Sequence, residues 1–244
     1  MITTVVPDYD ALCDAAAGRI AALVQEKPDA VLGLATGSTQ TGVYARLVRR
    51  HQDGQLDFSG VTCFNLDEYY PMLPDSPHSY HFFMQEHLFR HVPCRRWFVP
   101  DGSPGTPGQI AQRCREYESL VAASGGIDLQ LLGIGRTGHL GFNEPGSSPD
   151  SRTRLVTLNA ITREDAAEGF GGLAHVPKQA VSLGLGTIWE ARELVVLASG
   201  AAKAEIVQEA FEGKQIAQVP ASLLRFHPNV RIYLDRDAAS RLQK

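Results

Sequence analysis

The sequence predicts an α/β fold in which helices cover both faces of a mostly parallel sheet. Short apolar runs of strand length alternate along the chain with longer segments whose apolar residues recur at helical spacing. Buried parallel strands read as nearly continuous apolar runs because helices cover both faces of such a sheet. The chain has 244 residues, 43% hydrophobic and 20% charged, as in ordinary globular proteins. We find no internal repeat or break in composition, which predicts a single domain over residues 1–244.

The elements follow from these patterns in order. Leu12, Ile20 and Val24 lie on one apolar stripe of the first predicted helix, which Pro28 ends. A segment rich in proline and glycine at residues 100–108 is predicted as a loop. The predicted helices are residues 8–27, 39–50, 79–89, 109–124 and 201–212. The predicted strands are residues 29–35, 61–66, 127–133, 180–185, 194–199 and 230–234.

Four polar or glycine-containing runs directly follow predicted strands. They are TGST at residues 36–39, DEYY at 67–70, GIGRTGH at 133–139 and SGAAK at 199–203. The carboxyl ends of parallel strands lie along one edge of a sheet, and ligands of open α/β folds bind at that edge. We therefore expect these four runs, far apart in sequence, to converge on one cleft.

Two of the runs suit an anion. Residues Thr36, Gly37, Ser38 and Thr39 join a strand to a helix, where unpaired N–H groups and the helix dipole favour a phosphate. The GxxxxGK[ST] pattern of a Walker loop is absent, and a simple helix cap by Ser38 or Thr39 is an equal alternative. Lys203 lies near the start of a helix, where a cation opposes the dipole unless an anion is close by. Lys203 is therefore a candidate phosphate contact.

The other two runs carry acid–base groups. Asp67 ends a buried strand, where it could act as a general base or only as a polar strand end. Residues 131–147, LLGIGRTGHLGFNEPGS, place His139 and Glu144 among several glycines, so the carboxylate could fold back onto the imidazole and fix its tautomer. A surface histidine beside a turn is the plain alternative. A metal site on Asp67, His139 and Glu144 lacks the spacing of known motifs, and no GxSxG hydrolase elbow is present.

Composition argues against several other classes. The net charge is −4 with mixed signs, which favours neither nucleic-acid binding nor a membrane surface. The four cysteines are widely spaced, without a CxxC motif, and read as reduced thiols. The N-terminal residues lack the pattern of a signal peptide, so we expect a cytoplasmic protein.

Taken together, the runs resemble the glucosamine-6-phosphate deaminase (isomerase) family, which shares its fold with 6-phosphogluconolactonases. The likeness covers most of the chain in matching order, through GLATGST, FNLDEYY, DSPHSYHFFMQEHLF, LLGIGRTGHLGFNEPGSSPDSRTRLVTL, VPKQAVSLGLGTI and SGAAKA. GHLGFNEPGS is the most specific of these segments. A lactonase would carry a run similar to GHTASLFP at that place, and this chain does not.

The resemblance implies a doubly wound, Rossmann-like α/β fold and a reaction without a cofactor or metal. An amino-sugar phosphate, glucosamine 6-phosphate or a close relative, would be opened, isomerised from aldose to ketose and stripped of ammonia. His139, oriented by Glu144, would shuttle the ring-opening proton, and Asp67 would move a proton from C2 to C1. The residues expected to bind the substrate and its phosphate are Thr36, Gly37, Ser38, Thr39, Arg136, Thr137 and Lys203.

The chain also departs from the family pattern. Deaminases usually read NDGH where this chain has Arg136-Thr137-Gly138-His139, so Thr137 replaces an acid counted with the catalytic set. Residues 164–172 lack the phosphate-binding arginine expected there, for which Arg136 is a candidate substitute. Val156 replaces a lysine of allosterically regulated members. Galactosamine 6-phosphate deaminase, a 6-phosphogluconolactonase-type hydrolase and a non-catalytic sugar-phosphate sensor are the alternative functions, and a homo-oligomer is left open.

Overall fold

The computed structural model describes residues 1–243. Its strands are β1 (Ile2–Val6), β2 (Val31–Leu34), β3 (Thr62–Asn65), β4 (Asp67–Tyr70), β5 (Arg96–Phe98), β6 (Leu129–Gly133), β7 (Arg154–Thr157), β8 (Gln179–Ser182), β9 (Glu193–Ala198) and β10 (Val230–Asp235). Its α-helices are α1 (Tyr9–Glu26), α2 (Ser38–Gln52), α3 (Tyr80–Met84), α4 (Pro107–Ala123), α5 (Ala160–Ala166), α6 (Leu185–Trp189) and α7 (Ala204–Glu212). Over these residues, a seven-stranded sheet has the order β1-β10-β9-β6-β2-β3-β5, and a three-stranded sheet has the order β4-β8-β7.

Every pair of neighbouring strands in the larger sheet is parallel, and helices pack on both of its faces. Successive side chains of a strand point to opposite faces, so each strand contributes to two cores. On β6, Leu131 packs in a core with α1 and α2, while Leu132 packs in a core with α4 and α7. The predicted α/β fold with a covered parallel sheet is confirmed.

The small antiparallel sheet differs from the sequence prediction. DEYY was expected to follow a strand as polar residues, but it forms β4 and pairs with β8. Residues 180–185 were expected to form one strand, but β8 ends at Ser182 and helix α6 begins at Leu185. A short apolar run carries no information about its partner strand or its direction, which explains both errors.

Other differences concern short or exposed elements. Strands β1, β5 and β7 were not predicted; in β1, Ile2 and Val5 are exposed, so the buried apolar run that marks a central strand is missing. The predicted helix at 79–89 divides into α3 and a π-helical segment, Gln85–Phe89. The predicted helix at 201–212 begins with a 3₁₀ turn, Ala201–Lys203, before α7. The loop predicted at 100–108 ends earlier, because α4 begins at Pro107.

The strand order of the large sheet indicates where a ligand-binding cleft lies. From β2 the chain continues to β3 and β5 on one side, and it then returns to β6 on the other side of β2 and continues to β9 and β10. The direction of winding therefore reverses between β2 and β6, which is the point where open α/β sheets bind ligands.

Candidate active site

A cleft opens at the carboxyl ends of β2, β3, β6 and β9, where the sequence predicts convergence. Seven of the predicted site residues line it: Thr36, Gly37, Ser38, Thr39, Asp67, His139 and Lys203. The remaining three, Arg136, Thr137 and Glu144, lie outside the lining, although Thr137 and Glu144 contact His139. Four chain segments far apart in sequence thus form one site, and its two ends have different chemistry.

The first end is the start of helix α2. Gly37 is the N-cap, with φ of 126°, and no side chain caps the helix. The predicted alternative, a cap by Ser38 or Thr39, is therefore wrong. A glycine is needed because residues with a side chain rarely adopt this backbone conformation. Tyr9 fixes the turn, since its hydroxyl donates to the carbonyl oxygens of Ser38 and Thr39 at 3.0 and 3.1 Å. The uncapped N-terminus of a 15-residue helix faces the cleft, which suits an anion.

Lys203 adds a positive charge to this end. It is the last residue of the 3₁₀ turn after β9 and the N-cap of helix α7. Burial lowers the pKa of Lys203, an effect that nearby Asp165 opposes and nearby Arg136 reinforces. Across residues 1–243, no carboxylate lies within ion-pair distance of its amine. A partly buried cation without an acidic partner, beside an uncapped helix start, is what a phosphate would require.

Arg136 lies outside the lining of the cleft and pairs with an acidic residue. Its guanidinium forms an ion pair with Asp165 of α5, with an Nη2–Oδ1 distance of 2.8 Å, and both side chains are exposed. Its charge adds to the lowering of the Lys203 pKa. That Arg136 contacts a substrate phosphate stays a prediction.

The second end holds the carboxylate of Asp67, the first residue of β4. Asp67 is only 4% exposed, and within the described part of the chain no group donates a hydrogen bond to its carboxylate. Burial, followed by repulsion from Glu68, raises the pKa of Asp67 to about 8. Gly141 packs against it with φ of +57°, and a Cβ there would lie 3.0 Å from Oδ2 of Asp67. Among the described residues, the Asp67 carboxylate thus has a raised pKa and no hydrogen-bond partner from the protein.

Glu68, which the sequence analysis did not single out, holds this end together. Its carboxylate accepts the backbone N–H groups of Tyr69, Tyr80 and His81, each at 2.9 Å. Burial raises its pKa to about 7, although the three hydrogen bonds act in the opposite direction. The bonds to residues 80 and 81 tie the start of α3 to β4 and bring Tyr80 into the lining of the cleft. The acid beside Asp67 in DEYY was the available signal for this contact.

His139 lies between the two ends, on the glycine-rich loop after β6. Gly135 passes directly under the imidazole, since a Cβ there would fall 2.0 Å from Cε1 and Nε2. Burial lowers the pKa of His139; Glu144 opposes this shift and Lys203 adds to it. The imidazole is therefore neutral near pH 7, as a group that both takes and returns a proton must be.

Glu144 lies near His139 but does not bond to it directly. Its Oε2 is 3.6 Å from Nδ1, while the Thr137 hydroxyl is 2.9 Å from the same nitrogen and 3.4 Å from Oε2. The other carboxylate oxygen accepts the backbone N–H of Asn159 at 3.0 Å. Glu144 was expected to orient His139 by direct contact, and Thr137 was expected to bind substrate. In the structure the Thr137 hydroxyl contacts both side chains, and the roles of Glu144 in orienting His139 and of Thr137 in binding substrate stay predictions.

A second pocket, larger and more apolar than the cleft, lies beside α6. Its lining includes Trp189 and the exposed Phe226, and its charged residues include Arg152 and Glu190, which pair with each other. It contains none of the predicted site residues. In the described chain, no cluster of three or more His, Cys, Asp and Glu residues is arranged to hold a metal ion. Over the same residues, no helix is both long and apolar enough to cross a membrane.

The doubly wound sheet, the uncapped helix start and the buried side chains of Asp67 and His139 in one cleft are typical of an α/β enzyme that acts on a phosphorylated small molecule. The family model described as glucosamine-6-phosphate isomerases/6-phosphogluconolactonase matches residues 8–232. The chain belongs to this family, in agreement with the resemblance seen in its sequence motifs.

Individual relatives agree over nearly the whole chain. A glucosamine-6-phosphate deaminase from Geobacillus sp. (strain WCH70) is 46% identical over 235 residues, covering 96% of this chain and 92% of the relative. Glucosamine-6-phosphate deaminase 1 from Bacillus subtilis (strain 168) is also 46% identical, covering 95% and 96%. The solved structure of a monomeric glucosamine-6-phosphate deaminase is 45% identical, with a TM-score of 0.95, covering 98% and 99%. A 6-phosphogluconolactonase from Trypanosoma brucei shares the fold, with a TM-score of 0.81 at 22% identity, covering 99% and 98%.

Proposed function

We propose that the protein is an amino-sugar-phosphate deaminase/isomerase that converts glucosamine 6-phosphate and water to fructose 6-phosphate and ammonia. The observation that carries the proposal is the unpartnered, buried carboxylate of Asp67 in the same cleft as a neutral imidazole and an anion site. Deaminases at 45–46% identity over nearly the full chain support the substrate class.

The first step is ring opening at His139. The imidazole takes the proton of the C1 hydroxyl and returns a proton to the ring oxygen as the C1–O5 bond breaks, which leaves an open-chain aldehyde. Nε2 is the nitrogen for this role, because the contacts of the ring to Thr137, Thr162 and Glu144 all involve Nδ1. A positioned proton shuttle of this kind contributes on the order of 10²–10⁴ in rate.

The second step is isomerisation at Asp67. The carboxylate removes the proton from C2 as the aldehyde oxygen takes up a proton from the ammonium group on C2, which makes an enol-amine. The protonated Asp67 then donates its proton to C1, which makes a protonated imine at C2. Water adds to the imine carbon and ammonia leaves, giving the ketose. Asp67 must be ionised to begin, and its raised pKa makes it a stronger base once it has lost its proton.

The phosphate end binds and orients the sugar in both steps. The phosphate lies on Gly37, Ser38 and Thr39 with Lys203 beside it, while Thr36 lines the wall between the two ends. Arg136 joins the phosphate by leaving Asp165. Holding the sugar at its far end keeps C1 and C2 next to Asp67, which is a positioning effect and not a chemical one.

The test is the release of ammonia and ketose phosphate from purified protein, measured separately with glucosamine 6-phosphate and galactosamine 6-phosphate. We expect equal amounts of both products from glucosamine 6-phosphate. Turnover of galactosamine 6-phosphate alone would change the substrate, and hydrolysis of 6-phosphogluconolactone alone would show a lactonase. Tight binding of an amino-sugar phosphate without any turnover would show a sensor.

We also propose that residues 1–244 form a single cytoplasmic domain without a nucleic-acid or membrane partner. The mixed surface charge and the net charge of −4 support this proposal. The oligomeric state, which was left open, is decided by light scattering of the purified protein. A mass of one chain, 26.5 kDa, would match the monomeric deaminase that this chain resembles.

A further inference from the structure

The contacts around Nδ1 of His139 show how the imidazole is held. Three side chains surround this nitrogen: the Thr137 hydroxyl at 2.9 Å, the Thr162 hydroxyl at 3.4 Å and Oε2 of Glu144 at 3.6 Å. Only the first distance is that of an ordinary hydrogen bond; the Glu144 carboxylate is within ion-pair distance of Nδ1 but too far for a direct hydrogen bond. Glu144 therefore acts on His139 through its charge, while the hydrogen bond that can orient the ring is the one with Thr137.

The direction of the hydrogen bonds follows from what the carboxylate needs. Oε1 of Glu144 already accepts the N–H of Asn159, whereas Oε2 has the Thr137 hydroxyl as its donor at 3.4 Å. If the hydroxyl donated to Nδ1 instead, a largely buried carboxylate oxygen would lose this donor and face a lone pair. The arrangement that satisfies both groups runs from Nδ1–H to the Thr137 oxygen, and from the Thr137 hydrogen to Glu144.

We propose that Thr137 is a positioning residue. Its hydroxyl donates to Glu144 and accepts the hydrogen of Nδ1, and it thereby holds the imidazole of His139 as the Nδ1–H tautomer. Nε2 then carries a free lone pair on the side of the cleft. This is the form that accepts the proton of a sugar hydroxyl. A hydroxyl is suited to this place because it both accepts and donates, which a carboxylate cannot do while ionised.

The role explains how the loop works with a neutral residue at position 137. Glu144 is the acidic residue beside His139, and Thr137 positions the imidazole without carrying a charge. Helix α5 closes the same side of the ring, since Thr162 is buried there, and Asp165, a little further along α5, pairs with Arg136 next to Thr137. The Nδ1 side is thus enclosed by protein.

This inference rests on the proposed ring-opening role of His139, so its test includes a reading that needs no turnover. The variants are Thr137→Val, which keeps the shape and removes the hydroxyl, Thr137→Ser, which keeps the hydroxyl, and Thr162→Val as the matched control at the more distant hydroxyl. The tautomer of His139 is read from two-bond ¹H–¹⁵N spectra of the imidazole. Thermal unfolding confirms that each variant is folded.

We expect the Nδ1–H tautomer in the wild type, Thr137→Ser and Thr162→Val, and a mixed or Nε2–H population in Thr137→Val. We expect kcat of Thr137→Val to fall by about tenfold to a hundredfold with KM nearly unchanged, as for loss of a hydrogen bond in a charged network. Thr137→Ser should keep kcat within about threefold of the wild type, and Thr162→Val should lose less than Thr137→Val.

An unchanged tautomer and kcat in Thr137→Val would overturn the inference. Equal losses in Thr137→Ser and Thr137→Val would also overturn it, because the hydroxyl would then not be the functional part. A wild type that turns over no amino-sugar phosphate would instead refute the proposed function, and the spectra alone would then decide the role of Thr137.

Discussion

The loop after β2 and the loop after β6 meet in one cleft but are built in different ways. The first presents backbone at the uncapped start of α2, with Gly37 as the turning point. The second presents side chains, His139 held through Thr137 and backed by Glu144. A site made of backbone is visible in a short sequence motif, whereas a site made of side chains depends on contacts among several elements. The two loops should therefore respond differently to substitution: binding should suffer at the first, and chemistry at the second.

The largest expected effect is at the chemical end, from Asp67→Asn. The amide keeps the size of the side chain but cannot take the proton of C2. We expect kcat to fall by about 10³-fold or more while KM stays within a fewfold of the wild type. Steady-state assays of ammonia release measure both quantities, with Asp75→Asn as a control at an exposed aspartate. A loss of binding in Asp67→Asn would show that Asp67 anchors the sugar instead.

A second test of the chemical end is Gly135→Ala. The added Cβ would fall 2.0 Å from the imidazole of His139, so the ring must move. We expect kcat to fall by about 10²-fold, since a displaced reacting group is costly even at a shift of 1 Å. Gly108→Ala is the matched control, because nothing lies within 4 Å of its new Cβ, and it should slightly stabilise α4. Wild-type activity in Gly135→Ala would contradict the close packing of the loop against His139.

At the binding end, Lys203→Ala should act on KM. The substrate loses a charge-assisted hydrogen bond that it makes before and during the reaction, so KM should rise by about 10- to 100-fold with kcat nearly constant. Inorganic phosphate should inhibit the wild type competitively and the variant more weakly. The control is Lys178→Ala, at an exposed lysine outside the cleft. A fall in kcat with constant KM would contradict this account, because it would show that Lys203 acts in the chemical steps and not in substrate binding.

The last expected effect concerns stability and its dependence on pH. The pKa of Asp67 is raised to about 8 in the folded protein, above the value of about 3.9 in an unfolded chain. Between these values the folded state holds a proton that the unfolded state has released. The free energy of unfolding should therefore fall as pH rises, by at most about 1.4 kcal/mol per pH unit from this group.

Asp67→Asn should remove this pH dependence, and its free energy of unfolding near pH 8 should be higher than that of the wild type. Urea unfolding at several pH values measures the difference between the two proteins, which isolates Asp67 from Glu68. In catalysis the same ionisation should raise kcat/KM as pH increases toward about 8, since the base must lose its proton. A wild type and variant with parallel pH dependence would mean that Asp67 has an ordinary pKa.

The backbone features of the cleft could be predicted from the sequence, whereas the side-chain contacts of Thr137 and Glu68 could not. Apolar strands and the positions of TGST, DEYY, GIGRTGH and SGAAK predicted the sheet and the convergence at its edge. The contacts of the Thr137 hydroxyl and the hydrogen bonds of Glu68 to the start of α3 were not predicted, because hydrophobic periodicity carries no information about side-chain contacts. Strand β4 was missed for the same reason, since its partner β8 lies more than 100 residues away along the chain. The pattern of residue types predicted the candidate reacting groups, and the fold showed which residues contact them.

The most direct test of the two-ended cleft is a crystal structure with an open-chain amino-alcohol 6-phosphate bound. We predict the phosphate at the start of α2 beside Lys203, and the carbons equivalent to C1 and C2 within about 3–3.5 Å of the Asp67 carboxylate. His139 would face the oxygen equivalent to the ring oxygen through Nε2. A phosphate bound at the Asp67 end, or an analogue bound outside this cleft, would contradict the account.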